Sequence, residues 1–109
     1  MLHFVLESTE DMILEIADIT IQAGKNAEFD EAIERGVRQV ISNSIGFRSF
    51  KIQKGVENPQ RYLLMIEWET LENHTVDFRT SPAYTKWREI VSPYFAGPPV
   101  VEHFTLLTQ

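Results

Sequence analysis

Residues 61–74 read RYLLMIEWETLENH, and this stretch decides the fold. Arg61–Glu69 has the density of aliphatic and aromatic residues of a strand. Tyr62, Leu64, Ile66 and Trp68 fall on one face, and Leu63, Met65 and Glu67 on the other. Neither face is simply polar, so both sides of the sheet need cover. Thr70 is placed to cap a helix over Leu71–Arg79. On that helix His74 shares a face with Leu71 and Phe78, which turns its imidazole inward, toward Trp68.

Working outward, Gly55–Gln60 holds the Gly, Asn and Pro of a hairpin turn, which makes Phe47–Lys54 the antiparallel partner of Arg61–Glu69. Further back, Met12–Ile21 is a strand that is again apolar on both parities, with Met12, Leu14 and Ile16 on one side and Ile13, Ala17, Ile19 and Ile21 on the other. Between them Phe29, Ala32, Ile33, Val37, Val40 and Ile41 repeat at helical spacing over Ala27–Ile41, with Asn26 as N-cap. Gly36 lies on the same stripe and is expected to let this helix approach the sheet closely. Ser81 and Pro82 start a helix that runs to about Val91, Pro93 and the Gly97–Pro99 run end it, and Val100–Thr108 is the last strand.

The order β, α, β, β, α, β predicts an α+β fold of the ferredoxin-like, split βαβ kind: a four-stranded antiparallel sheet with both helices on one face. Two helices shield one side of the sheet only. A second copy packed face to face, making a homodimeric α/β barrel, is the economical cover for the other. The expected organisation is an N-terminal arm over residues 1–11 and a single domain over 12–109.

The 109 residues carry ten basic and sixteen acidic side chains, a net charge of −6, with no basic cluster. That balance disfavours nucleic acid and anionic membranes as partners. Without cysteine there is neither a disulfide nor a thiolate site. No segment has the length of a membrane span, and Met1–Leu6 lacks the basic lead-in and cleavage pattern of a secretory signal, so a cytoplasmic protein is expected.

The residues able to carry chemistry concentrate between Trp68 and His103. Trp68 is either the floor of a pocket between sheet and second helix or a core indole with a satisfied N–H. His74 is either a general base or a buried, hydrogen-bonded imidazole. Arg79 either stabilises an anion or closes its helix. His103, which shares a parity with Val101 and Thr105, lines the cavity or the subunit interface. Tyr84, Trp87 and Tyr94 add aromatic surface whose helical spacing is explained first by packing. No metal site is expected, since no two histidines stand at i, i+4 or in a strand pair with carboxylates. There is no phosphate-binding glycine loop and no serine between flanking glycines. No cofactor is called for.

The string Ile66-Glu67-Trp68-Glu69-Thr70-Leu71-Glu72-Asn73-His74, with Phe78, Ser81-Pro82-Ala83-Tyr84 and Trp87, resembles the antibiotic biosynthesis monooxygenase family of the dimeric α/β-barrel superfamily. Ala23-Gly24-Lys25, Gly46-Phe47 and Val101-Glu102-His103-Phe104 extend the likeness across roughly Met12–Leu107. The resemblance implies a cofactor-independent oxygenase that helps a small aromatic or quinol-like substrate form an electron-rich anion, which then reacts with molecular oxygen. It implies His74 as proton acceptor, Trp68 and Phe78 as stacking walls with Tyr84 beside them, and Arg79 or His103 as anion partner. Haem-degrading members of the same superfamily use an Asn, a Trp and a His. Here Trp68 matches, but Ala17 and Arg88 stand at the other two positions, so haem chemistry is not expected. Two readings compete with the oxygenase: isomerisation of a small carbonyl metabolite, and a non-catalytic ligand-binding or stress-associated dimer.

Overall fold

A computed structural model of the chain describes residues 12–109, so the expected arm over residues 1–11 lies outside the described residues. The order is β1 (Ile13–Thr20), α1 (Asn26–Gln39), β2 (Phe47–Lys54), β3 (Arg61–Trp68), a π-helical segment (Asn73–Phe78), α2 (Pro82–Val91) and β4 (Val100–Thr105). Short 3₁₀ turns follow each long helix, at Ile41–Asn43 and Ser92–Tyr94. All strand pairs are antiparallel and the sheet order is β2-β3-β1-β4, the ferredoxin-like arrangement.

Side-chain alternation sorts the sheet into two unlike faces. Ala17, Ile19 and Ile21 from the β1 segment join Tyr62, Leu64, Ile66 and Trp68 of β3 beneath the helices, all buried. Phe29, Ala32, Ile33 and Val37 of α1 and Trp87 and Val91 of α2 close over them. Each large apolar side chain so buried stabilises the fold by roughly 1.5–3 kcal/mol relative to exposure. On the opposite face Leu14, Ile16, Leu63 and Met65 are only partly covered, and Phe104 is 45% exposed.

Several boundaries differ from the sequence reading. Asn26 is the first residue of α1 rather than its cap, and its side-chain amide donates to Pro59 O (2.8 Å) and Tyr62 Oη (2.7 Å), tying α1 to the β2–β3 hairpin. Gly36 faces a helix, not the sheet. A Cβ there would lie 2.8 Å from Trp87 Cζ3, so the missing side chain admits the indole of α2. The last strand ends at Thr105, short of Thr108.

The largest difference lies after β3. Thr70 does cap, and reciprocally: Asn73 N–H donates to Thr70 Oγ1 (3.1 Å) and Thr70 N–H to Asn73 Oδ1 (3.0 Å). After the first turn the chain widens, and Arg79 N–H donates to His74 O at i−5 (3.2 Å). This π-helical turn alters the face. Asn73, His74 and Phe78 are buried, while Leu71, expected inward, is 38% exposed. Gly46, at φ +82°, lies against Asn73 so closely that any Cβ would overlap the Asn73 carboxamide. Its backbone fixes where the segment begins.

Candidate active site

β1, β3, β4 and the π-helical segment converge on one buried polar group. Cross-strand register sets Glu15 opposite Ile66 on β3 and opposite His103 on β4. Glu15 shares the inward parity of Ala17 and is only 5% exposed. Trp68 Nε1–H donates to Glu15 Oε1 at 2.9 Å. His74 enters from above, stacked on Trp68 with ring centroids 5.3 Å apart and planes at 19°. His74 Nε2 lies 3.4 Å from Glu15 Oε1, and His74 Nδ1 is 2.8 Å from His103 Nε2. Among the described residues every fully buried side-chain polar atom has a partner.

Burial governs the charge states. It pushes the Glu15 carboxyl up to about 7, against the Trp68 hydrogen bond and the Arg79 charge, which both pull down. It pulls His74 down to about 3, and the positive charge of Arg79 and the His103 ring act the same way. His103 is lowered too, by burial first and Arg79 second. At neutral pH the Glu15–His74 contact is therefore not an ion pair: the imidazole is neutral and the carboxyl is poised between its two forms.

These groups border a cavity of about 380 Å³ between the sheet and α2. That volume suits a small organic molecule. Glu15, His74, Phe78, Arg79, Tyr84 and Trp87 form its walls, with Arg88 at the α2 side. Of the residues singled out in the sequence, His74, Arg79, Phe78 and Tyr84 line this space. Trp68 and His103 do not. Trp68, with no exposed surface, backs His74 and holds Glu15, and His103 stands behind His74 on β4. The Arg79 guanidinium borders the cavity and forms no salt bridge among the described residues.

Glu15 escaped the sequence reading. The signal was its parity, a lone carboxylate on the inward face of an apolar strand, but only the register shows that His103 lies across from it. That pairing sets one histidine, His103, opposite a carboxylate on adjacent strands. It does not make a metal centre. The three side chains are linked in series, through opposite nitrogens of His74, instead of converging on one point, and among the described residues no group of three His, Cys, Asp or Glu is arranged to hold an ion.

A more open groove of about 640 Å³ runs between α1 and β2. Several of its polar groups are paired with one another: Tyr62 Oη donates to Asp30 Oδ1, Lys54 Nζ lies 2.7 Å from Asp30 Oδ2, and Arg38 Nε donates to Glu34 Oε2. It offers no comparable chemistry. Among the described residues no helix is long and apolar enough to cross a membrane.

The sequence pattern of the family described as "Antibiotic biosynthesis monooxygenase" matches residues 12–90. The uncharacterized protein YczJ of Bacillus subtilis (strain 168) is 38% identical over 93 residues, 85% of this chain and 97% of that protein. A provisionally assigned antibiotic biosynthesis monooxygenase of Bordetella bronchiseptica superposes with a TM-score of 0.85 at 37% identity, covering 90% of this chain and 99% of that one. SnoaB, a cofactor-independent oxygenase from Streptomyces nogalater, shares the fold with a TM-score of 0.77 at 14% identity, over 91% of this chain and 96% of its own.

Proposed function

The chain belongs to the antibiotic biosynthesis monooxygenase family, and from that premise we propose that it is a cofactor-independent monooxygenase of a small aromatic or quinol-like molecule. The observation that carries this reading is the content of the cavity wall. A guanidinium, Arg79, with no salt bridge among the described residues, stands beside a proton-handling group that includes His74, among the aromatic faces of Phe78, Tyr84 and Trp87. Aromatic walls suit a flat substrate. Loss of a proton from that substrate leaves an anion that Arg79 stabilises as charge develops. The electron-rich anion is itself the reductant of oxygen. In an anthrone-type substrate, conversion of a CH₂ to a carbonyl supplies four electrons, one oxygen atom enters the product and the other leaves as water. No external electron donor is needed.

The outward sheet face, with Leu14, Ile16, Leu63, Met65 and Phe104, supports a homodimer in which a second copy covers it. Isomerisation of a small carbonyl metabolite is a second reading, favoured by the two imidazoles beside a poised carboxyl, which suffice for proton transfer without oxygen. Oxygen uptake with a panel of anthrones and hydroquinones separates the two. Uptake above the autoxidation background should require folded protein and fall about 10²–10³-fold in Arg79→Met, the size of losing one charge-stabilising donor. Turnover that is indifferent to removal of oxygen would transfer the protein to the isomerase class.

A further inference from the structure

Both nitrogens of His74 face protein groups: Nδ1 faces His103 and Nε2 faces Glu15. Neither is directed at a ligand in the cavity. Glu15 is different. Its Oε1 takes the Trp68 N–H, but Oε2 has no hydrogen-bond partner among the described residues, and the side chain borders the cavity. On the far side of His74, His103 is half-buried on β4, which is an edge strand of the sheet. We propose that Glu15 is the group that exchanges a proton with the substrate, and that His74 and His103 form a two-imidazole wire connecting it to solvent. This rests on the reading that a substrate loses a proton in this cavity.

The wire balances as a relay of single protons. In the acid form Glu15 holds a proton on Oε1 directed at His74 Nε2, His74 Nδ1–H donates to His103 Nε2, and His103 carries its proton on Nδ1. Discharge moves the Glu15 proton to His74 Nε2, the His74 Nδ1 proton to His103 Nε2, and the His103 Nδ1 proton to water. One proton has left Glu15, and both imidazoles have exchanged tautomers while remaining neutral. The carboxylate then accepts the substrate's two C–H protons in turn at Oε2, the first as the carbanion forms and the second as the O–O bond of the peroxide breaks and the carbonyl forms, and returns each to the oxygen that departs as water. The 3.4 Å gap between Glu15 and His74 exceeds a formed N–H···O bond, and such contacts shorten when substrate fills the site. The charge that acts on the wire is Arg79, just after the π-helical segment, and Arg88 and Tyr84 of α2 border the same cavity. β3 contributes only the Trp68 N–H.

The test needs no substrate. Imidazole ¹⁵N shifts and the Glu15 side-chain ¹³C shift are followed with pH in the wild-type protein and in His103→Gln. The tautomers of His74 and His103 should reverse over the same pH interval in which Glu15 ionises, and His103→Gln should displace the Glu15 midpoint. Tautomers that stay fixed while Glu15 titrates would overturn the wire, and the wild-type measurement decides this even if the variant fails to fold. Turnover forms the second arm. With an active substrate, Glu15→Gln should lower kcat about 10²–10⁴-fold, and an unchanged kcat would remove Glu15 from the reaction. If no member of the panel consumes oxygen but the tautomers reverse with Glu15, the oxygenase reading falls and the wire stands.

Discussion

β3 carries an aromatic hydrogen-bond donor at each end, and the two ends behave in opposite ways. At one end the Tyr62 hydroxyl donates to Asp30, at the other the Trp68 indole donates to Glu15. Asp30 also has Lys54 beside it and sits near solvent. Burial raises its pKa, but the hydrogen bonds from Lys54 and Tyr62 and the Lys54 charge outweigh that, so the carboxylate is held below its ordinary value. Glu15 has the same kind of aromatic partner and, among the described residues, no Lys or Arg in contact, and burial wins. One end is a settled structural pair. The other is a group kept between two charge states, which is what proton transfer near neutral pH requires.

The largest expected effect sharpens this contrast through stability. The folded pKa of Glu15, about 7, lies above its ordinary 4.5. Its contribution to stability is fully present below pH 4.5 and is lost as pH rises through 7. His74 runs the other way: its folded value of about 3 lies below 6.5, so its contribution is present above pH 6.5 and is lost as pH falls toward 3. Between pH 4.5 and 6.5 the two slopes nearly cancel in the wild-type protein. Glu15→Gln removes the first of them. Denaturant melts should show the variant gaining stability over the wild type as pH is raised, by about 3 kcal/mol at pH 8, while turnover is lost. A variant without that gain would mean that Glu15 is as settled as Asp30.

Next in size is Trp68→Phe, which removes the indole N–H from Glu15 and leaves space where the larger ring stood. It should cost on the order of 1–3 kcal/mol. Because the Trp68 bond lowers the Glu15 pKa, the Glu15 midpoint should also move further up, visible in its ¹³C titration. The smallest effect belongs to the settled end. Asp30→Asn breaks an ion pair whose side chains are 46% and 40% exposed, so the loss should stay within about 1 kcal/mol and kcat should be unchanged. A catalytic defect in Asp30→Asn would break the comparison.

The sequence made the difference between the ends only half visible. The inward parity of Tyr62, Leu64, Ile66 and Trp68, the Thr70 cap and the Ser81–Pro82 helix start are local signals, and local signals were enough for the element order. What escaped was non-local or sub-periodic. Glu15 meets His103 only through strand register. Over six residues, the spacing of Asn73–Phe78 does not distinguish a 3.6-residue turn from the wider π turn that exposes Leu71. Gly36 read correctly as a place of close approach, but its neighbour is an indole from the other helix, which helical periodicity cannot identify.

That same indole connects α1 to the cavity. Trp87 fills the notch over Gly36 and is also a wall of the cavity. A methyl group added at position 36 would lie 2.8 Å from the ring and force this part of the cavity wall to shift. The width of the cavity is thus tied to a position on α1 that does not line it. In an enzyme of the proposed kind, a change at this position would alter the size of molecule admitted without touching Glu15 or His74.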